Sequence, residues 1–231
     1  MTKLEMLFLV ADTSGRQGFV GLVRAQDPNQ VSVIDEVPLA GGTFSAQLVP
    51  QIAALLANHA LSKRDIDAFI VISGPGSFTG LRVGLAAIKA LAEILQKPIV
   101  PVSLLEVVAL AAKREGKVVA ALDAGRSEIY AGEYEARGDS AQYVREQLVP
   151  KDEFIRLARG ATTVTPDESV IKMADAAGLA VLHVARPVAA SIAGAGWRRL
   201  RAGKTVPPEQ LEANYIRRSD AEIFSKPTPG A

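Results

Sequence analysis

The chain has 231 residues, of which 48% are apolar, and its formal net charge is +1. This length and apolar content are enough for one large or two small domains with a substantial core. The absence of cysteine excludes disulfides and cysteine–zinc sites, and the two histidines, His59 and His183, are too far apart in sequence to predict a metal cluster. A net charge this close to zero provides no long-range attraction to nucleic acid, so any role in nucleic-acid binding must be indirect, local or shared with a partner.

The first apolar run, residues 6–11, is too short for a signal-peptide core or a membrane span, so we expect a cytoplasmic protein without membrane contact. Apolar periodicity then predicts alternating strands and helices in the first half of the chain. In chain order these are strands over residues 7–10, 18–23 and 30–37, a helix over 44–59, a strand over 68–72 and a helix over 79–96.

A glycine-rich stretch, Ser-Gly-Pro-Gly-Ser-Phe-Thr-Gly-Leu-Arg-Val-Gly, occupies residues 73–84, between that last strand and helix. Glycines at such a turn allow close backbone approach and suit an anion. A Walker A loop needs a lysine where the chain has Leu81, and the dinucleotide fingerprint needs a glycine where it has Thr79. Neither motif is present, and a tight turn with Ser77 or Thr79 as N-cap is an equally good interpretation.

The second half repeats the pattern of the first. Asp12 ends the first strand before a hairpin turn, and Asp123 ends a similar strand over residues 118–122. Strands over 128–134 and 142–149, a short helix over 151–158 and further strand–helix alternation follow. Asp and Gly are ordinary turn residues, so coincidence is the alternative to duplication. We place the boundary near Ser103, before a helix over 104–113, giving lobes over 1–103 and 104–225 and a frayed tail over 226–231.

The glycine-rich stretch and the helix after it, together with Pro-Ile-Val-Pro-Val-Ser-Leu-Leu-Glu at 98–106, closely resemble the signature of the TsaB (YeaZ) family. Weaker similarities at 12–14, 45–50, 122–130 and 214–217 follow in the expected order. The resemblance implies an α/β fold of the duplicated actin, Hsp70 and sugar-kinase type (RNase H-like), with two lobes of mixed sheets flanked by helices.

The resemblance also implies a function. The chain is expected to be a non-catalytic scaffold or activator of the complex that makes threonylcarbamoyladenosine at position 37 of tRNAs reading codons that begin with A. Its expected partners are a TsaD-like catalytic subunit, a TsaE-like ATPase and a second copy of itself, with tRNA met only through the complex. It needs no cofactor of its own, whereas the complex uses ATP and magnesium. The alternatives are a small-molecule kinase of the same superfamily and, with its ligands missing, a metallopeptidase.

In catalytic members of that superfamily, carboxylates at the ends of both first strands lie near nucleotide phosphates. The residues of this chain that match such a vestigial site are Asp12, Thr13, Ser14, Gly76 and Asp123. The alternative is that both Asp side chains cap their own hairpins. No acidic residue in the glycine-rich stretch supplies the general base of a kinase. Gly194-Ala195-Gly196 is a candidate adenosine pocket or, equally, a site of close helix packing.

The two helices of the first half are the candidate partner-binding elements, because their apolar arcs are wider than one sheet face needs. The alternative is that they pack only on the sheet and on each other. Arg82, in the first turn of its predicted helix, is expected to form an ion pair within the chain or across an interface, and the alternative is a solvated surface arginine. Ser45 can cap the first helix. The candidate partner-contact residues are Leu48, Ile52, Leu55, Arg82, Leu85, Ala87, Leu91 and Ile94.

Overall fold

The structure is a computed structural model that describes residues 5–216. Its first sheet has the strand order β3-β2-β1-β4-β5. The three consecutive strands β1, β2 and β3 pair antiparallel, and β4 and β5 add in parallel beside β1. These strands are β1 Met6–Asp12, β2 Gln17–Ala25, β3 Val31–Ala40, β4 Ala68–Gly74 and β5 Ile99–Ser103.

The second sheet has the order β10-β9-β6-β7-β8, with β6, β7 and β8 antiparallel and β9 and β10 parallel beside β6. Read from β8, this is the order of the first sheet with the same strand directions, so the predicted duplication is confirmed. The strands are β6 Gly116–Gly125, β7 Glu128–Arg137, β8 Ser140–Pro150, β9 Thr162–Thr165 and β10 Val181–His183.

Six α-helices are described in residues 5–216, and they follow the predicted pattern closely. They are α1 Phe44–Asn58, α2 Phe78–Leu95, α3 Leu104–Leu110, α4 Lys151–Ala158, α5 Glu168–Ala176 and α6 Ala189–Arg201. Helix α3 ends three residues earlier than the sequence predicts, because the chain turns toward β6 with Lys113 in the left-handed region at φ 46°. Among these helices, none is both long and apolar enough to span a membrane.

The helices and sheets form layers around three cores. Helices α1 and α2 cover the outer face of the first sheet, and α4 and α5 cover the outer face of the second. Between the sheets lie α3 and α6, and the inner faces of both sheets share one core with them that includes Phe8, Val118 and Trp197. The predicted α/β architecture, two mixed sheets flanked by helices, is therefore the observed one.

The chain crosses between the lobes after its second sheet. Helix α6 packs on all five strands of the first sheet, although it follows the second sheet in sequence. Residues 206–216, which we call the strap, then run along the first lobe, where Val206 bridges Ile99 and Leu211 is buried. The boundary at Ser103 stays a prediction, and the predicted tail over 226–231 lies outside the described residues.

Candidate functional site

A cleft of about 1600 Å³ lies between the two lobes, at the carboxyl ends of β1, β4 and β6. The first hairpin and the glycine-rich stretch line one side, and the β6–β7 hairpin with the segment before α6 lines the other. The cleft brings together Asp12, Ser14, Gly76 and Asp123, four of the five residues of the predicted vestigial site. The fifth, Thr13, is buried behind the wall of the cleft.

The glycines of residues 73–84 allow the protein to pack closely on itself. A Cβ on Gly76 would lie 2.4 Å from the carbonyl oxygen of Ser14, and a Cβ on Gly80 or Gly84 would lie 2.1 Å from an oxygen of Thr13. Ser77 caps α2, since its side chain accepts a hydrogen bond of 3.2 Å from the Gly80 N–H. The interpretation as a tight, Ser77-capped turn is confirmed, with the first hairpin seated against it.

Asp12 is held by its own hairpin. Its Oδ1 accepts hydrogen bonds from the Ser14 N–H at 2.8 Å and from the Ser14 hydroxyl at 2.6 Å. Burial raises the pKa of the Asp12 carboxyl above its ordinary value, although the Ser14 hydrogen bonds and the positive charge of Arg186 act in the opposite direction. Both Ser14 hydrogen bonds come from within the hairpin, so Asp12 caps its own turn.

Asp123 is held in a similar way but is exposed. Its Oδ1 accepts from the Gly125 N–H at 2.8 Å, and its Oδ2 accepts from the Ser169 hydroxyl at 2.6 Å. The Ser169 bond, followed by the Gly125 bond, lowers the pKa of Asp123. Both Asp side chains therefore cap their hairpins, as the second interpretation of the sequence states. In residues 5–216, no group of three or more histidine, aspartate or glutamate side chains is placed to hold a metal ion.

Sequence reasoning did not find the ion pair between Asp167 and Arg186, which lines the cleft. Asp167 accepts a hydrogen bond from the Asp123 N–H at 2.9 Å, and its other carboxylate oxygen pairs with the Arg186 guanidinium. Arg186 follows β10 and reaches back to the residue that precedes α5. No local motif marks this pair, because its members come from separate elements and meet only through the fold.

The Gly194-Ala195-Gly196 segment does not form an adenosine pocket. It lies on the buried face of α6, where a Cβ on Gly196 would lie 2.5 Å from the Ile70 side chain and one on Gly194 would lie 2.9 Å from the Pro28 carbonyl oxygen. The alternative interpretation, close helix packing, is confirmed, because these glycines let α6 approach the first sheet.

The candidate partner-contact residues divide into a buried and an outward group. Four of them have exposed fractions of 5% or less, so their assignment to a partner surface is wrong and they are core residues. These four are Leu48, Ile52, Leu55 and Leu85. Ala87 and Leu91 are half-buried, Arg82 is exposed, and Ile94 is exposed to 72%.

The outward surfaces of α1 and α2 carry exposed and half-buried apolar side chains. We call these surfaces together the α1–α2 face; its residues are Val49, Ala53, Ala57, Ala86, Ala87, Ala90, Leu91 and Ile94. Most of these are alanines, which let a neighbouring helix approach closely. Ser45 is exposed and does not cap α1, because the helix already begins at Phe44 and no side-chain cap bond is formed there.

Arg82 lies beside this face and contacts aromatic rings. Its guanidinium carbon is 3.8 Å from the centroid of the Phe78 ring, and its Nε donates a 3.0 Å hydrogen bond to the Tyr215 hydroxyl. The predicted ion pair within the chain is not formed with any residue in 5–216. Asn214 and Tyr215 belong to a segment that resembles the family motif, but the sequence analysis predicts no role for them.

A family model described as tRNA N6-adenosine threonylcarbamoyltransferase, TsaD, matches residues 38–223. The chain belongs to this family. The TsaB protein of Haemophilus influenzae is 34% identical over 129 residues, which is 54% of this chain and 52% of that protein. The TsaB protein of Bacillus subtilis is 30% identical over 154 residues, 66% of this chain and 63% of that protein. The matched segment thus spans between half and two thirds of each relative.

These relatives confirm the resemblance to the TsaB/YeaZ branch of the family. The solved structure of YeaZ from Pseudomonas aeruginosa superposes with a TM-score of 0.70 over 91% of this chain and 99% of that chain, at 22% identity. At this identity the similarity concerns the fold alone, and it agrees with the observed pair of mixed five-stranded sheets flanked by helices.

Proposed function

We propose that this chain is a non-catalytic scaffold and activator subunit in the synthesis of threonylcarbamoyladenosine in tRNA. The names of its TsaB relatives support this pathway. The observation that carries the proposal is the α1–α2 face, an apolar surface rimmed by an exposed arginine on the side of the first lobe away from the other lobe. Apolar faces of this kind are typical of protein–protein contacts.

The partner that we propose for this face is a TsaD-like catalytic subunit. The family model that matches this chain is that of the transferase itself, so a TsaD-like chain is expected to carry an equivalent pair of helices. Two related chains can then pair through like surfaces, as in an isologous dimer. A second copy of this chain would use the same face in the absence of the partner. A TsaE-like ATPase completes the proposed assembly, and tRNA meets this chain only through the complex.

The contacts of the two cleft carboxylates support a non-catalytic role. Each is hydrogen-bonded by its own hairpin, so each has the local capping role that the sequence offers as the alternative to metal binding. In this proposal ATP and magnesium serve the partner subunits, and the isolated chain holds no metal. Elemental analysis that found stoichiometric zinc or iron in protein purified without added metal would contradict this part.

The test is a threonylcarbamoylation assay on unmodified tRNA with the complete set of partners. Omitting this chain should abolish or strongly reduce modification. The double substitution Asp12→Asn and Asp123→Asn should leave the rate largely intact, because each Asn keeps an oxygen for the hairpin hydrogen bonds. Loss of a preorganised catalytic charge would instead lower the rate by roughly a hundredfold or more.

Two further measurements separate the proposal from the kinase alternative. Gel filtration shows whether the double variant still enters the complex, and calorimetric titration of magnesium-ATP shows whether the isolated chain binds nucleotide. A collapse of activity in a complex that still assembles, or tight nucleotide binding followed by hydrolysis, would favour an enzyme over a scaffold.

A further inference from the structure

Three side chains from distant parts of the sequence form a compact cluster beside the α1–α2 face. The Arg82 guanidinium lies over the Phe78 ring at 3.8 Å, and the Tyr215 ring packs against Phe78 with a centroid distance of 4.9 Å. The Tyr215 hydroxyl accepts the Arg82 Nε–H at 3.0 Å. Arg82 is therefore fixed on one side by a ring face and at one nitrogen by a hydrogen bond.

The residue before Tyr215 fixes the strap to both lobes. The Asn214 N–H donates to the Ser73 carbonyl at 2.7 Å, and its side-chain amide donates to Glu146 at 2.6 Å. Glu146 also accepts hydrogen bonds from the Ser103 hydroxyl at 2.5 Å and from the Tyr134 hydroxyl. Because the Glu146 carboxylate accepts three hydrogen bonds from different elements, it holds Asn214 in place, and with it the neighbouring Tyr215.

The Arg82 guanidinium forms no ion pair with a carboxylate in residues 5–216. Its Nε is occupied by Tyr215, and the described ion pairs of the chain involve other arginines. An exposed arginine that is preorganised by aromatic rings at the rim of an apolar face has the composition of an interface hot spot.

We infer that Tyr215 is a positioning residue that presents Arg82 to a carboxylate on the partner chain. The two terminal nitrogens of Arg82 provide the planar fork that matches a carboxylate, while Phe78 and Tyr215 keep that fork from adopting other rotamers. The inference rests on the proposed function, because it assumes that the α1–α2 face binds the TsaD-like chain. It adds the chemistry that the partner must offer there, an acidic side chain or a terminal carboxylate.

The experiment measures binding of the TsaD-like chain from the same organism to immobilised full-length variants of this chain. Tyr215→Phe removes the one hydroxyl that holds Arg82 and keeps the ring, and it should weaken binding roughly fivefold, mainly through faster dissociation. Tyr143→Phe is the matched control, because Tyr143 is exposed to 62% on β8 in the other lobe. It should bind like the unmodified chain.

A double-mutant cycle shows whether Tyr215 acts through Arg82. In an Arg82→Met background, which keeps length and removes the charge, Tyr215→Phe should have no further effect on affinity. The affinity of the unmodified chain should fall more steeply with salt than that of Arg82→Met, because an ion pair at the rim is screened. Phe78→Leu gives a second route to loosening Arg82 if Tyr215→Phe lowers the thermal midpoint.

The outcomes are distinct for the two proposals. An equal loss from Tyr215→Phe in the unmodified chain and in the Arg82→Met background, or no loss from either Tyr215→Phe or Phe78→Leu, would overturn the positioning role. If Ile94→Glu still weakens binding in that case, the proposed partner face stands. If Ile94→Glu also binds like the unmodified chain, the proposed function fails together with the inference.

Discussion

At the scale of single residues, Asp12 and Asp123 occupy equivalent places at the ends of β1 and β6, yet their surroundings shift their pKa values in opposite directions. Burial raises the pKa of Asp12, whereas hydrogen bonds from Ser169 and Gly125 lower that of Asp123. The two carboxylates share a hairpin-capping geometry, but their electrostatic surroundings differ. The difference gives opposite expectations for stability.

Asp12→Asn and Asp123→Asn should change stability with opposite signs at pH 7. The raised pKa of Asp12 means that the folded state loses stability as pH rises through that pKa, so a neutral Asn should unfold at a higher temperature. The lowered pKa of Asp123 means that its ionised form stabilises the fold above the ordinary pKa, and this stability is lost as pH falls through the lowered pKa. Asp123→Asn should cost less than about 1 kcal/mol, since the side chain is exposed.

Thermal unfolding at pH 7 and at a pH below 3.8, the ordinary pKa of both groups, measures this difference. The advantage of Asp12→Asn should disappear at the lower pH, where the carboxyl of the unmodified chain is also neutral. The deficit of Asp123→Asn should shrink there too. Equal destabilisation by both substitutions at pH 7 would show that the burial of Asp12 does not carry the expected electrostatic penalty.

Gly84→Ala should destabilise the fold even though alanine is the better helix former. The added Cβ would lie 2.1 Å from the Thr13 hydroxyl oxygen, which is buried behind the cleft. Overpacking of this kind costs about 1–3 kcal/mol, more than the helix propensity of alanine returns. Urea unfolding measures the loss, and adding Thr13→Ala should recover part of it, with Thr13→Ala alone as the control. Equal stability of Gly84→Ala and the unmodified chain would mean that α2 can move away from β1.

At the scale of elements, α2 shows what periodicity can and cannot predict. The spacing of its apolar residues predicts a wide apolar arc, but spacing alone does not identify the part of that arc that faces the core. Ile88 and Ala92 lie in the core, whereas Ile94 points outward at 72% exposure. The succession of strands and helices along the chain was predictable, because each half repeats a simple local pattern. The contact of Arg82 with Tyr215, 133 residues apart, was not, because only the folded path of the strap brings them together.

Ile94→Glu should shift the purified chain toward monomer in sedimentation velocity. Ile94 is the most exposed large apolar side chain of the α1–α2 face, so a charge there leaves the monomer intact and would be buried without a partner in a helix-paired dimer. Val144→Glu, at a side chain exposed to 52% on β8, is the matched control and should not change the distribution. A dimer that persists in Ile94→Glu and dissociates in Val144→Glu would place self-association on the second lobe.

At the scale of the whole molecule, the two lobes are separate in topology but joined in their core. The inner faces of both sheets pack with α3 and α6 in one cluster, which contains the only tryptophan of the chain, Trp197. Trp197 belongs to α6, and its ring lies 5.9 Å from that of Phe8 in the first sheet. The sequence predicts a boundary near Ser103, but the helix that covers the inner face of the first sheet comes from beyond that boundary.

A fragment ending at Ser103 should therefore not fold by itself. Without α6, the inner face of the first sheet would expose Phe8, Val10 and Ile70, which are fully buried in the whole chain, and burial of such side chains contributes about 1.5–3 kcal/mol each. The fragment is tested by the dispersion of its amide resonances and by its circular dichroism, with the full chain as reference.

Because both sheets share this core, the full chain should unfold in a single transition, with Trp197 fluorescence and far-UV circular dichroism giving coincident curves in urea. A well-dispersed spectrum from the fragment, or a fluorescence change that precedes the loss of secondary structure in the full chain, would show that the lobes are independent folding units.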